Sequence, residues 1–210
     1  MTEENQKFLY DLISEHNKRV NITAITDYAD FLVKHIKDSE LGEKYIEGKK
    51  VLDIGSGAGF PGIVFAINYK EKNVTMIDSV NKKVVIINDI AEKMNLNNAQ
   101  ALHIRIEDFS EKESFDTVTA RAVAPLNILA EYALPFVRVG GIFIAYKSVD
   151  TDKEIEEAKN AIKQLGGRIE KISDEILSNE ISRRFVIIRK IKPCEKKHPR
   201  GKNLPRLKPL

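Results

Sequence analysis

Apolar residues recur along this chain with two alternating periods from about Lys49 onward. Helical spacing, as in residues 81–94 and 125–138, lies between most of the short apolar runs that are typical of β-strands. Those runs span residues 50–54, 73–78, 99–104, 115–120, 142–147, 168–173 and 184–191. The pattern predicts an α/β fold with a seven-stranded, mostly parallel sheet covered on both faces. Only a short interval separates the last two runs, so this pair can be antiparallel.

Two helical patterns precede the first predicted strand and form an N-terminal appendage. Residues 5–21 carry apolar side chains at helical spacing, and a second pattern over 28–36 follows the cap-type residues Thr26 and Asp27. We therefore expect a helical appendage packed on the body, a Rossmann-like doubly wound domain and a basic tail. Their ranges are residues 1–45, 46–192 and 193–210.

Cap residues indicate where the later helices begin and end. Pro125 suits the first turn of the helix predicted over 125–138, because proline is tolerated there. Thr151 and Glu154 have the spacing of a capping box before the next helix. Gly166 then marks the end of that helix.

Composition is that of a globular protein in a reducing compartment. The chain has 210 residues, of which 42% are hydrophobic, and this suits one domain with a small appendage. Its single cysteine, Cys194, excludes an internal disulfide. The acidic start MTEEN lacks an apolar stretch, and no apolar run approaches the roughly 18 residues of a membrane span. We expect a cytoplasmic protein that has no membrane partner.

The formal net charge of +3 conceals an uneven distribution. Residues 189–210 contain nine Lys or Arg and one acid, whereas the other 188 residues carry 25 basic and 30 acidic side chains. A short basic tail on an acidic body is typical of a segment that binds a polyanion. The alternatives are a solvated terminus and a tail that packs on the body through its prolines and leucines.

The stretch VLDIGSGAGFPGIVF, residues 51–65, joins the first strand to a helix. Gly55, Gly57 and Gly59 carry no Cβ atoms, so the N–H groups of the loop can approach a ligand. A G-x-G-x-x-G dinucleotide fingerprint also fits this stretch, but it begins too late after the strand. The carboxylate of Asp53 would repel a pyrophosphate and attract an ammonium or sulfonium group. This favours S-adenosylmethionine, while a nicotinamide-dependent oxidoreductase stays open as an alternative.

Further candidates follow the second and third strands. Asp78 lies 23 residues beyond Gly55, where an acid accepts hydrogen bonds from ribose hydroxyls, although it could instead cap the next helix. Lys82 lies in the first turn of that helix, where a cation is disfavoured unless an anion such as an RNA phosphate is near. Ile106 and Glu107 could sandwich and hydrogen-bond an adenine.

Six internal and terminal motifs together resemble one known family. LDIGSGAGFPG is followed by DS, RIE and TARA, with NKRVNITAI near the start and KHPRGKNLPRLKPL at the end. This arrangement is similar, nearly end to end, to the bacterial 16S ribosomal RNA guanine-N7 methyltransferases, called RsmG or glucose-inhibited division protein B. The resemblance implies transfer of the methyl group of S-adenosyl-L-methionine to guanine 527 in the 530 loop of 16S ribosomal RNA, free or in the small subunit. A monomer is expected.

Arg121 stands alone among small residues after the fourth strand, which on its own favours a functional role. The resemblance places the family's cofactor residues on Gly55, Phe60, Ile106, Glu107 and Arg121. Guanine N7 has an in-plane lone pair and no proton, so the reaction needs no general base and depends on positioning. Arg121 is therefore the candidate catalytic residue, placed between cofactor and base, where it could donate to guanine O6 or a phosphate. No metal is expected.

RNA contacts are predicted for both terminal motifs and for one internal lysine, at Lys18, Arg19, Asn21, Lys82, Arg200, Lys202, Arg206 and Lys208. Three positions depart from the family: His16 for an aromatic residue, His198 for Tyr, and Asn203 for Gly. Asparagine tolerates positive φ, so the turn at Asn203 can survive. A non-catalytic RNA-binding protein that retains the fold also stays open.

Overall fold

Seven strands form a single sheet in the computed structural model, which describes residues 1–178 and 181–210. They are β1 Lys50–Ile54, β2 Asn73–Asp78, β3 Ala99–His103, β4 Phe115–Arg121, β5 Val137–Lys147, β6 Gly167–Ile176 and β7 Ser182–Lys190. The strand order is β3-β2-β1-β4-β5-β7-β6, in which β1 to β5 are parallel and β7 is antiparallel to both neighbours. The predicted fold class is confirmed.

Helices cover both faces of this sheet. They are α1 Glu3–Asn17, α2 Tyr28–Phe31, α3 Asp38–Leu41, α4 Gly62–Asn68, α5 Asn81–Lys93, α6 Leu126–Ala133, α7 Asp152–Gln164 and α8 Leu204–Leu207. A π-helical segment, Leu32–Lys37, joins α2 to α3. Alternate strand residues point to opposite faces, so Val51 packs in one core cluster and Leu52 in the other. In the part of the chain described, no helix is long and apolar enough to cross a bilayer.

The N-terminal helices share a core with the sheet. Leu9 of α1 and Phe31 of α2 are fully buried in the same cluster as Val51 and helix α4. The ring of His16 also contacts Asp89 of α5 at 2.7 Å, so this departure from the family joins two helices. Residues 1–45 are thus packed directly on the body; their separation as a region stays a prediction.

Two of the predicted helix boundaries are confirmed. Asp27 caps α2 by accepting from the N–H of Asp30 at 2.9 Å. Gly166 follows α7 with φ of +78°, a conformation that glycine adopts without strain.

Two other helix predictions were wrong. The helix expected over 125–138 ends at Ala133, because Pro135 cannot continue it, and Val137 already starts β5. The capping box also does not form. The hydroxyl of Thr151 donates to the carbonyl of Ser148 at 2.9 Å, and Glu154 instead forms an ion pair with Lys147.

Candidate active site

A cavity lies at the carboxyl ends of β1 and β2, the edge at which open α/β sheets bind ligands. The residues that line it are Ile54, Gly55, Ile77, Asp78, Ser79, Ile104, Arg105, Ile106, Glu107, Val123, Tyr132, Asn203 and Arg206. Four predicted cofactor residues therefore lie together: Gly55, Asp78, Ile106 and Glu107. Two residues of the tail, Asn203 and Arg206, complete the lining; the sequence had assigned Arg206 to RNA.

The glycine loop joins β1 to α4 and contains Gly55, Gly57 and Gly59. Each of these three glycines has a positive φ, so the backbone conformation by itself favours glycine at these positions. A Cβ on Gly55 would lie 2.8 Å from a methyl group of Val123, so protein packing also excludes a side chain there. A Cβ on Gly57 would meet nothing closer than the Gly55 carbonyl at 3.9 Å. Gly57 is thus a position where the bare backbone faces free space that a ligand can occupy.

Asp53 lies on β1, behind the loop, and is fully buried. Its Oδ2 accepts from the N–H of Gly62 at 3.1 Å, while Oδ1 has no hydrogen-bond partner among the described residues. Burial raises the pKa of Asp53 to about 7, although the hydrogen bond from Gly62 opposes the shift. The carboxylate therefore braces the loop and keeps one oxygen that an approaching positive charge would stabilise. Asp53 stays a predicted cofactor residue, since it is not part of the cavity lining.

Asp78 joins the glycine loop to the start of α5. Its Oδ2 accepts from the N–H of Gly57 at 3.0 Å and its Oδ1 from the N–H of Val80 at 2.9 Å. Each carboxylate oxygen has a second lone pair, so the residue can hold the loop and still accept from a ligand hydroxyl. The cap-like role and the ribose role considered for Asp78 are compatible.

Ile106 and Glu107 also line the cavity and lie on the 3-10 turn Ile106–Asp108 after β3. Tyr132 lies close to them: its burial and then the charge of Glu107 raise the pKa of the phenol. An apolar side chain beside an acid, as predicted, is thus presented to the cavity.

Arg121 and Phe60 belong to a second group, outside the cavity lining. One guanidinium nitrogen of Arg121 donates to Asp38 Oδ2 at 2.7 Å and to the carbonyl of Lys34 at 3.2 Å. The ring of Phe60 stacks on His35 with centroids 4.3 Å apart. These residues fasten the carboxyl end of β4 and the glycine loop to the N-terminal helices.

We call Arg121, Asp38, Arg183 and His35 the buried arginine cluster. Asp38 is fully buried and accepts from Arg183 at 2.6 and 3.1 Å as well as from Arg121. Burial and the charge of Arg121 lower the pKa of His35 to about 3, so the imidazole is neutral. Nη2 of Arg121 lies 3.2 Å from His35 Nδ1, and because arginine can only donate, Nδ1 must accept this hydrogen bond. The single proton of the neutral imidazole is therefore on Nε2, which lies 2.9 Å from Thr23 Oγ1.

The predicted RNA residues near the N-terminus are exposed. Lys18, Arg19 and Asn21 follow α1 in a loop whose shape is held by the side chain of Asn17, which bonds the backbone of Ile22 and Thr23. Lys82 is exposed at the start of α5. The geometry leaves all four side chains accessible.

The tail is docked on the body. Arg200 donates to both carboxylate oxygens of buried Glu131, at 2.7 and 2.6 Å, so its charge is already paired within the protein. Two other cations counted in the basic segment are already engaged: Arg189 pairs with Glu47 and Glu170, and Lys190 is fully buried. The charge available to a polyanion is smaller than the sequence count.

Two of the family departures lie in this docked tail. His198 is buried against Glu131 at 2.9 Å, so it cannot stack on an exposed base. Asn203 has φ of 58°, as expected for the position of a family glycine. Lys202 and Lys208 are exposed.

Comparisons with known proteins agree with this geometry. A family model described as rRNA small subunit methyltransferase G (GidB) matches residues 2–182. Curated proteins named ribosomal RNA small subunit methyltransferase G are similar to this chain over nearly its whole length. The protein from Clostridium tetani is 41% identical, and the match covers 95% of this chain and 87% of that protein. The protein from Limosilactobacillus reuteri is 40% identical, and the match covers 99% of this chain and 92% of that protein.

Solved structures show the same fold. Geranyl diphosphate C-methyltransferase from Streptomyces coelicolor, in complex with S-adenosyl-L-homocysteine, is 10% identical with a TM-score of 0.61, covering 88% of this chain and 98% of that one. A ribosomal protein L11 methylase from Lactobacillus delbrueckii is 15% identical with a TM-score of 0.57, covering 74% and 78%.

Proposed function

This chain belongs to the rRNA small subunit methyltransferase G family, and from that premise we propose that it methylates N7 of guanine 527 in the 530 loop of 16S ribosomal RNA. The predicted family, enzyme class and cofactor are confirmed: the chain is a methyltransferase that uses S-adenosyl-L-methionine. The atom and the nucleotide that receive the methyl group are the proposal.

The observation that carries the proposal is the cavity at the carboxyl ends of β1 and β2. It combines the backbone of Gly55, a carboxylate at Asp78 with spare acceptor capacity, and the pair Ile106 and Glu107. These groups suit an adenosine, because Asp78 can accept hydrogen bonds from the ribose hydroxyls. Ile106 can pack on the purine ring, and Glu107 can accept a hydrogen bond from it. Behind the loop, the unpartnered oxygen of Asp53 suits a cationic group.

The bound cofactor supplies an activated methyl group on a positively charged sulfur. The protein's residues then have to place guanine N7 in line with that methyl group, because N7 carries a lone pair and no proton has to be removed. Orientation of this kind can supply about 7–11 kcal/mol of the rate enhancement. The residues proposed to do this are rigid: Asp78 is tied to the loop, and Arg121 is held by three hydrogen-bonding contacts.

The substrate is proposed to be 16S ribosomal RNA or the small ribosomal subunit, bound by a monomer in the cytoplasm. Exposed Lys18 and Arg19 on one side and Lys202 and Lys208 in the tail are the proposed phosphate contacts. Arg200 and His198 are better described as residues that anchor the tail.

The deciding experiment incubates the protein with unmodified small subunits and isotopically labelled cofactor and then maps the labelled base. We expect one label, at N7 of guanine 527. The matched control is 16S RNA with 7-deazaguanine at that nucleotide, which lacks the accepting atom and should take up no label. Label on another base, or equal label on the control RNA, would refute the proposal, and RNA binding without any label would indicate a non-catalytic protein.

A further inference from the structure

The C-terminal tail provides one wall of the cofactor cavity. Asn203 and Arg206 line the same space as Ile106 and Glu107. A guanidinium nitrogen of Arg206 donates to the carbonyl of Val123 at 3.1 Å. A methyl group of Val123 packs against Gly55, so Val123 contacts both Arg206 and the glycine loop.

A buried carboxylate holds this segment in place. Glu131 of α6 is 1% exposed and accepts from His198 Nδ1, from the backbone N–H of Arg200 and from its guanidinium. Burial alone would raise the pKa of Glu131, but the hydrogen bonds from Arg200 and His198 bring it below its ordinary value. Glu131 is therefore ionised at neutral pH and binds the tail as an anion.

A second contact closes the segment on itself. Arg200 also donates to the carbonyl of Lys208 at 2.9 Å, which joins the two ends of the turn that carries Arg206. Within that turn, Asn203 has a left-handed conformation and its carbonyl accepts from the N–H of Arg206 at 3.1 Å. The position of Arg206 at the cavity rim is thus set by the fold, although its side chain is exposed.

We propose that Arg206 binds the adenine end of the cofactor, so that the tail is part of the cofactor site and not only an RNA contact. A planar guanidinium can stack on a purine, and Arg206 lines the same cavity as the pair Ile106 and Glu107. This inference rests on the proposed cofactor site. It assigns to Arg206 a role different from that of the exposed Lys208 two residues later.

Calorimetry in the absence of RNA tests this assignment. Affinity for S-adenosyl-L-homocysteine is measured for the wild type, Arg206→Gln and Lys208→Gln, which each remove one positive charge from the tail. We expect Arg206→Gln to lose affinity about tenfold and Lys208→Gln to stay within about twofold of the wild type. Equal affinities for all three proteins would overturn the inference, as would equal losses in the two variants, because those would reflect tail charge alone.

Two controls separate this result from other failures. Thermal unfolding without ligand should be unchanged in Arg206→Gln, because its side chain is exposed and makes one backbone hydrogen bond; a lowered midpoint together with the lost affinity would overturn the inference in favour of a structural role. Failure of the wild type to bind the compound at all would instead contradict the proposed function.

Discussion

The cofactor cavity and the buried arginine cluster lie at the same edge of the sheet but differ in what their polar groups contact. In the cavity, Asp78 accepts two backbone hydrogen bonds and keeps acceptor capacity beside an open space. In the cluster, the oxygens of Asp38 are shared by Arg121 and Arg183, so its charge is neutralised internally. A charged residue after a strand can thus face a ligand or bind a distant helix.

Removal of Asp38 should have the largest effect. Asp38→Ala leaves two guanidinium groups beside each other in a largely buried site without their counter-ion, and we expect a loss of about 3–5 kcal/mol in the free energy of unfolding. Denaturant unfolding measures it. The control is Glu156→Ala, which breaks an exposed pair with Lys159 and should cost less than about 1 kcal/mol. Similar losses in both variants would show that the cluster contributes no more than a surface ion pair.

Arg121 and Arg183 provide a matched pair, because both guanidinium groups donate to Asp38. If Arg121 also acts on the substrate, Arg121→Ala should lower kcat/KM about a hundredfold through misplacement at the reacting centre, and Arg183→Ala far less. Steady-state methylation is compared at a temperature where both variants are folded. Equal losses would make Arg121 a purely structural residue, and an unchanged rate and cofactor affinity in Arg121→Ala would exclude a role at the cofactor or at the substrate.

Asp53 gives a pH-dependent prediction. Because burial raises its pKa to about 7, the carboxyl group is neutral below that pH and ionised above it. An ionised Asp53 attracts the sulfonium of S-adenosylmethionine but gains nothing from the neutral sulfur of S-adenosylhomocysteine. The ratio of the two affinities should therefore rise about tenfold in favour of S-adenosylmethionine between about pH 6 and about pH 8.

Calorimetry across that pH range provides the measurement for Asp53. The control is Asp53→Asn, whose side-chain oxygen can still accept from the N–H of Gly62 and whose affinity ratio should be constant. Parallel curves for the wild type and the variant would mean that Asp53 only braces the loop.

What could be predicted from the sequence depended on how local the determining contacts are. Asp78 and Ile106 follow directly from strands whose carboxyl ends meet, so the motif order was enough to bring them together. Asp38 and Arg183 are 145 positions apart, and no spacing along the chain indicates their contact. Nothing in the apolar period distinguishes His35, which the π-helical segment places between Phe60 and Arg121.

The charged residues of the tail also contact partners that the sequence did not indicate. Its lysines and arginines were counted together as an RNA contact, but Arg200 serves Glu131 and Arg206 lies at the cavity rim. The positive charge of the tail was evident from composition, whereas the contact of Arg200 with Glu131 depends on how the tail packs on α6. Tyr132 and Val123 were not predicted as lining residues, because only the folded chain brings α6 and the segment after β4 to the cavity.

The smallest expected effect concerns the two tail lysines that remain exposed. Lys202→Gln with Lys208→Gln should weaken RNA binding several-fold and reduce the slope of log affinity against log salt by about 1.5, because two phosphate contacts are lost. Binding of S-adenosylhomocysteine should not change, since neither side chain lines the cavity. The control is Lys153→Gln, which removes an exposed charge on α7 and should leave the slope as it is. Fluorescence anisotropy with a 530-loop RNA at several salt concentrations decides the matter: an unchanged slope in the tail variant would remove these lysines from the RNA interface, and a loss of cofactor affinity would assign them to the cavity with Arg206.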